Sequence, residues 1–141
     1  MRLVIDTNRI ISALLKDGLT REIITSNSID FYSIDYVIEG LNKYQSYILK
    51  KAHMTKTDFD LLFDLVFDQI KIVEDNKVKK HMKEATEIMK DIDIKDSPIL
   101  ACALSIPNEG IWTEDKDFEK QTKIPIWKTK VLKEYVKNRR K

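Results

Sequence analysis

The stretch Leu3-Val4-Ile5-Asp6-Thr7-Asn8 limits what this chain can fold into more than any other. Three successive apolar residues, two of them β-branched, read as a strand buried on both faces. A carboxylate closes the run, and Arg9-Ile10-Ile11-Ser12-Ala13-Leu14-Leu15 follows with helical character. Such a junction opens an α/β sheet, whose ligands lie beyond the carboxyl ends of its strands. Asp6 stands at that place.

The rest of the chain keeps the alternation. The first helix is predicted over 8–17, with Gly18 as its stop and Thr20 as the cap of a short helix over 21–26. Residues 30–34 read as a second strand. Asp35 then caps a helix to about residue 51, because Val37, Leu41, Tyr44 and Ile48 are spaced along one helical face. Residues 55–68 make another helix, with Phe59, Leu62, Phe63, Val66 and Phe67 inward. Its Asp58, Asp60, Asp64 and Asp68 belong to a solvated face. A third strand covers 70–73. Asn76 caps a helix to about residue 90, whose Val78, Met82, Ala85 and Met89 form a core stripe. Asp96 is a good N-cap, and Pro98 suits the first turn of the almost wholly apolar helix running to Ile106. A fourth strand is entered at 110–113. Residues 124–127 make a short fifth, with Pro125 favouring a sheet edge. A helix over 130–139 closes the chain. Strands alternating with helices predict one α/β domain over 1–141, with a parallel sheet, right-handed crossovers and helices on both faces in a three-layer α/β/α arrangement.

Composition narrows the classes. A chain of 141 residues can bury a sizeable core, and 43% hydrophobic with 34% charged residues fits an ordinary soluble protein. No apolar run approaches the roughly 18–20 residues of a membrane helix. Met1-Arg2 leads straight into the first strand without a secretory pattern, so no membrane association and a cytoplasmic location are expected. The single Cys102 sits in an apolar run and reads as a core residue in a reducing compartment. His53 and His81 lie in polar, lysine-rich surroundings, and no zinc spacing is present. Residues 128–141 hold seven Lys or Arg and one Glu, whereas the other 127 residues hold 18 basic and 22 acidic, a net of −4. An acidic body with a basic tail suits an acid-lined site beside a phosphate-attracting patch. The same tail also reads as a solvated last helix whose cations suit its C-terminus.

Four acids share one kind of position. Asp6 ends strand one, Glu39 lies just beyond strand two, Asp96 starts the buried helix before strand four, and Asp115 lies just beyond strand four. In a parallel sheet the strand ends of one polarity share one edge, so Asp6, Glu39 and Asp115 are predicted on one rim. Asp96 joins them if its helix runs antiparallel to the following strand. Taken singly, each also reads as a strand end, an exposed helix residue, a cap or a turn acid. Together they would repel one another, and a divalent cation removes that penalty. Carboxylates without a soft ligand favour Mg²⁺ or Mn²⁺. Such a site can activate water against a phosphodiester with one metal or with two roughly 4 Å apart. Asp117 is a possible fifth acid, and Thr7, Asn8 and Thr113 are candidates to orient the carboxylates by hydrogen bonds. Asp91-x-Asp93-x-x-Asp96 lacks the glycine and distal glutamate of a calcium loop.

Asp6-Thr7-Asn8, Glu39 after a strand, Asp96 before an Ala/Leu helix, and Trp112-Thr113-Glu114-Asp115-Lys116-Asp117-Phe118 together resemble a PIN domain over essentially the whole chain. PIN domains are small metal-dependent ribonucleases, among them the VapC-type toxins of toxin–antitoxin pairs. The resemblance implies a five-stranded parallel sheet in the order 3-2-1-4-5, which sets Asp6 next to Asp115. It maps the family's acids onto Asp6, Glu39, Asp96 and Asp115, with Asp117 as an extra. Asp93 rivals Asp96, which is preferred because the helix starts there. Ile34 stands where many relatives have a proline before the glutamate, and Gly40 where some carry a second acid.

The first functional expectation is therefore a Mg²⁺- or Mn²⁺-dependent endoribonuclease acting on single-stranded or looped RNA. Lys128, Lys130, Arg139 and Arg140 are candidates for backbone contacts by their charge. The exposed face of the helix pair at 35–51 and 55–68 is a candidate surface for an antitoxin segment or a second copy of the chain. The alternative is a catalytically weak RNA- or protein-binding module on the same fold. A phosphate-receiving regulator would need paired acids early, an acid after strand three and a lysine after strand five; here only one acid follows strand one and strand three leads into Glu74-Asp75-Asn76-Lys77, so it fits poorly.

Overall fold

The computed structural model describes residues 1–139. Its strands are β1 (Arg2–Ile5), β2 (Asp30–Ile34), β3 (Ile70–Val73), β4 (Ile111–Trp112) and β5 (Ile126–Trp127). They form one parallel sheet in the order β3-β2-β1-β4-β5, as expected. Leu3, Val4 and Ile5 are fully buried because β1 is central and covered on both faces.

The helices are α1 (Thr7–Leu15), α2 (Leu19–Thr25), α3 (Asp35–Lys43), α4 (Gln45–Ala52), α5 (Lys56–Phe67), α6 (Asp75–Lys79), α7 (Met82–Met89), α8 (Ser97–Ser105) and α9 (Thr129–Arg139). Right-handed crossovers from β1 outward to β3 place α1 to α5 on one face, and the return from β3 to β4 places α6 to α8 on the other. The packing agrees: α1 contacts α2, α4 and α5, while α6 and α7 pack on α8. The chain reverses direction across the sheet between β1 and β4. Val4 pairs with Ile111 and Ile5 with Trp112 there, so the residues just past both strands meet at the switch point.

Several local expectations are corrected. Lys16 is extended (φ −144°, ψ 135°) and ends α1 at Leu15; Gly18 is no left-handed stop but the N-cap of α2, with Thr20 inside that helix. The helix expected over 35–51 is two. Tyr44 (φ −91°, ψ 0°) separates α3 from α4 and is 53% exposed, so the apolar face does not run through it while Val37, Leu41 and Ile48 are buried. Asp35 is the first helical residue rather than the cap, which is Ile34. The helix expected over 76–90 also breaks, into α6 and α7, and Glu74 holds the cap position assigned to Asn76. Its Val78, Ala85 and Met89 are buried as the stripe requires. Cys102 is a core residue, and burial pushes its thiol up to about 12. No helix among the described residues is long and apolar enough to cross a membrane.

Candidate active site

The pairing of β1 with β4 builds the first half of the site. The Asp6 amide donates to the Trp112 carbonyl at 3.0 Å, which continues the ladder one residue past β1. Thr113, just past β4, is fully buried, and its hydroxyl donates to Asp6 Oδ2 at 2.6 Å. The same hydroxyl oxygen accepts the Asp115 amide at 3.0 Å, and Asp115 Oδ1 accepts the Asp117 amide at 2.9 Å. One threonine thus fixes two acids from opposite ends of the sequence. Asp6 is only 5% exposed. Burial is the largest influence and raises its pKa. The Thr113 hydroxyl and the Asn8 backbone N–H oppose the rise, Asp115 adds to it, and Arg9 opposes it, leaving the carboxyl above its usual range.

The buried helix builds the second half. Asp93 caps a 3-10 turn over Ile94–Asp96 by accepting the Lys95 amide at 3.1 Å. Asp96 occupies the cap position of α8, but its side chain makes no capping bond. The local turn is closed by Asp93, so the Asp96 carboxyl is left over, and its Oδ2 is buried without a hydrogen-bond partner. Asp93, Asp96 and Asp117 each offer a carboxylate oxygen within 4.8 Å of the others. Burial first, then Asp93, Asp6, Asp115 and Asp117, push the Asp96 carboxyl up to about 7. Three carboxylates therefore meet at Asp96, and Asp6 and Asp115 act on it electrostatically. An orphaned buried oxygen costs about 1–3 kcal/mol. A set of oxygen donors without sulfur or nitrogen suits a hard divalent cation, and these residues fit one.

The remaining candidates are placed as follows. Glu39 is exposed and lines a separate cleft of about 390 Å³ with Thr7, Tyr36, Lys43 and Tyr44. That cleft includes Thr7, the neighbour of Asp6, but Glu39 is not among the clustered acids and makes no side-chain hydrogen bond among the described residues. Asn8 acts on Asp6 through its backbone rather than its exposed side chain. Lys128 lies near the rim, ion-paired to Glu119 at 3.4 Å. Lys130 is exposed in the first turn of α9. That helix starts beside the site, where the Thr129 amide donates to Glu114 Oε1 at 2.6 Å. It then leads away for roughly 15 Å, which carries Arg139 off the rim. Arg140 lies outside the described residues.

Arg9 is the residue sequence reasoning missed. Its charge favours the ionised forms of Asp6 and Glu114, and its Nε is buried without a partner. Burial opposes ionisation of Glu114, but its bonds to Thr129 and the cations Lys128 and Arg9 outweigh that and lower its pKa. A cation in the first turn of a helix opposes the helix dipole. At the third position of α1 that unfavourable placement was the available signal of anions nearby.

Acids gathered past the strand ends at the switch point of a parallel sheet form a site suited to a hard cation. The chain matches the family model of the PIN domain over residues 4–137 and belongs to that family, whose members are in general nucleases that use divalent metals. No curated protein and no solved structure matches it.

Proposed function

We propose that this protein is a Mg²⁺- or Mn²⁺-dependent endoribonuclease that hydrolyses phosphodiester bonds of single-stranded or looped RNA. The observation that carries the reading is the orphaned Asp96 oxygen, held among Asp93 and Asp117 beside the Asp6–Thr113–Asp115 chain. Asp96, Asp117 and Asp93 are the residues that would hold the cation, with Asp6 and Asp115 at its border. When bound, such an ion supplies positive charge to the scissile phosphate and makes water more acidic. Asp6 and Asp115 are left to orient the attacking water and accept its proton, and Thr113 keeps them in fixed relation. Glu39, across Thr7, bounds the other side of the substrate path. Open RNA fits a shallow site because it can bend into it and stack its bases on exposed aromatics such as Tyr36 and Tyr44.

The test is RNA cleavage with Mg²⁺ or Mn²⁺ and with EDTA, repeated for Asp6→Asn and Asp96→Asn. Cleavage is expected only with metal, and each variant is expected to lose on the order of 100-fold or more. Cleavage that survives EDTA, or full activity in Asp6→Asn, would overturn the reading. We place the enzyme in the cytoplasm as the toxin of a toxin–antitoxin pair. Tyr36, Tyr44 and Tyr47 are exposed along α3 and α4 and would give an antitoxin an apolar surface. Expression in a bacterial host should arrest growth, and Asp6→Asn should relieve the arrest; unchanged growth with the wild-type chain would count against the toxin role.

A further inference from the structure

Clustered carboxylates repel a polyanion, so the affinity for RNA has to come from cations beside them. The helix that carries most of the basic tail leads away from the rim. Another set of cations adjoins the centre through one of its members. Lys120 Nζ lies 3.0 Å from Asp117 Oδ1. The same lysine lines a cleft of about 980 Å³ together with Lys80, Lys83, Lys123, Ile88 and Ile92. One wall is α7 with the turn before it, which carry Lys80, Lys83 and Ile88. The opposite wall is the loop after Asp117. That loop is pinned by the buried Gln121, whose Nε2 donates to the carbonyls of Phe118 (2.9 Å) and Ile124 (2.8 Å) and whose Oε1 accepts the Ile124 amide (2.9 Å). Lys120 and Lys123 are therefore presented on a rigid edge. The acids of this cleft are already engaged: Glu84 by Lys123 at 3.8 Å and Glu87 by Lys90 at 2.6 Å. Lys80 and Lys83 are exposed and have no ion pair among the described residues.

From this placement we infer that the cleft between α7 and the 118–124 loop binds the backbone of single-stranded RNA on the Asp117 side of the scissile phosphate. Lys80 and Lys83 take phosphates, Lys120 marks the passage into the acidic centre, and Ile88 with Ile92 gives bases an apolar floor. The inference rests on the ribonuclease reading and adds to it where the strand lies. An RNA strand suits the cleft better than an acidic peptide. It has to pass through the acidic centre, which adjoins the cleft, whereas a peptide has no use for that continuity.

The test is fluorescence anisotropy of a labelled single-stranded RNA in EDTA, which prevents cleavage. Wild type, Lys80→Ala/Lys83→Ala and the control Lys133→Ala/Lys137→Ala on α9 are compared across a salt series. Repulsion from the acidic centre is the same in all three, so the difference reports the lysines alone. The cleft variant should bind at least fivefold more weakly at low salt. The slope of log affinity against log salt should fall by roughly 0.7 for each phosphate contact removed, while the control stays near wild type. With metal restored, KM should rise more than kcat falls. Wild-type binding with an unchanged slope and affinity in the cleft variant would overturn the cleft and leave the nuclease reading standing. No RNA binding and no cleavage by the wild type would overturn both. Polyglutamate that binds as tightly as RNA, and is lost in the same variant, would overturn the inference in favour of an acidic protein partner.

Discussion

Asp96 carries the charge that this fold accommodates least. Its carboxyl is pushed up to about 7, by burial first and then by four other acids. A carboxyl whose folded pKa exceeds its unfolded value near 3.8 contributes stability that is complete below about pH 4 and is lost as pH rises through about 7. In EDTA, Asp96→Asn should therefore be more stable than wild type at pH 8 by on the order of 1 kcal/mol, the full shift being discounted because the group is partly solvated. The two should converge below pH 4. Urea unfolding across that range is the measurement, and parallel curves would rule out the strained charge. Thr113 makes the opposite case. Thr113→Val removes the donor to Asp6 and the acceptor for the Asp115 amide. It should cost about 2 kcal/mol in urea unfolding and lower cleavage without abolishing metal binding. Asp6 and Asp115 were legible as rim residues because strand ends are readable from hydrophobic runs. Asp93 was legible only as a rival to Asp96. Which of the two spends its carboxylate on the backbone is decided by a 3-10 turn that no sequence period announces.

Strands and buried helices were readable at the scale of elements, and the breaks between helices were not. β1 and α8 are continuous apolar runs, and burial follows from that alone. At Tyr44 the spacing suggested one helix, because spacing registers that a tyrosine is apolar but not that its ring stays in solvent. Gly18 misled in the same way: a glycine after a helix need not be left-handed, and this one is extended. Two other glycines test how far backbone geometry constrains this fold. Gly110 has φ +142°, and a Cβ there would meet the Pro125 carbonyl and come within 2.8 Å of the Trp127 ring. Gly110→Ala should destabilise by at least about 2 kcal/mol, because it strains the backbone and forces β5 off β4. Gly40 lies inside α3 with nothing within 4 Å of a Cβ. Gly40→Ala should add roughly 0.5–1 kcal/mol. The two urea midpoints should move in opposite directions, and a shared direction would contradict the conformations assigned to them.

At the scale of the whole molecule, the acids come from just past β1, from the turn before α8 and from the segment after β4. Only the reversal of strand order between β1 and β4 brings them together. The unfolded chain has no comparable cluster, so a cation held there binds the native state far better than the unfolded one and stabilises the entire fold. At a concentration one hundred times its Kd the gain is about 2.7 kcal/mol, on the order of 10 °C in the melting temperature of a chain this long. Protons compete for the same oxygens, and the Asp96 carboxyl near 7 sets where they win. The melting temperature should thus rise with Mg²⁺ or Mn²⁺ at pH 8, rise little at pH 5, and respond weakly in Asp96→Asn at either pH. Five scattered surface acids would respond to ionic strength alone, and Na⁺ at matched ionic strength would then reproduce the shift. A melting temperature that follows ionic strength in wild type and variant alike would separate these acids from any metal chemistry.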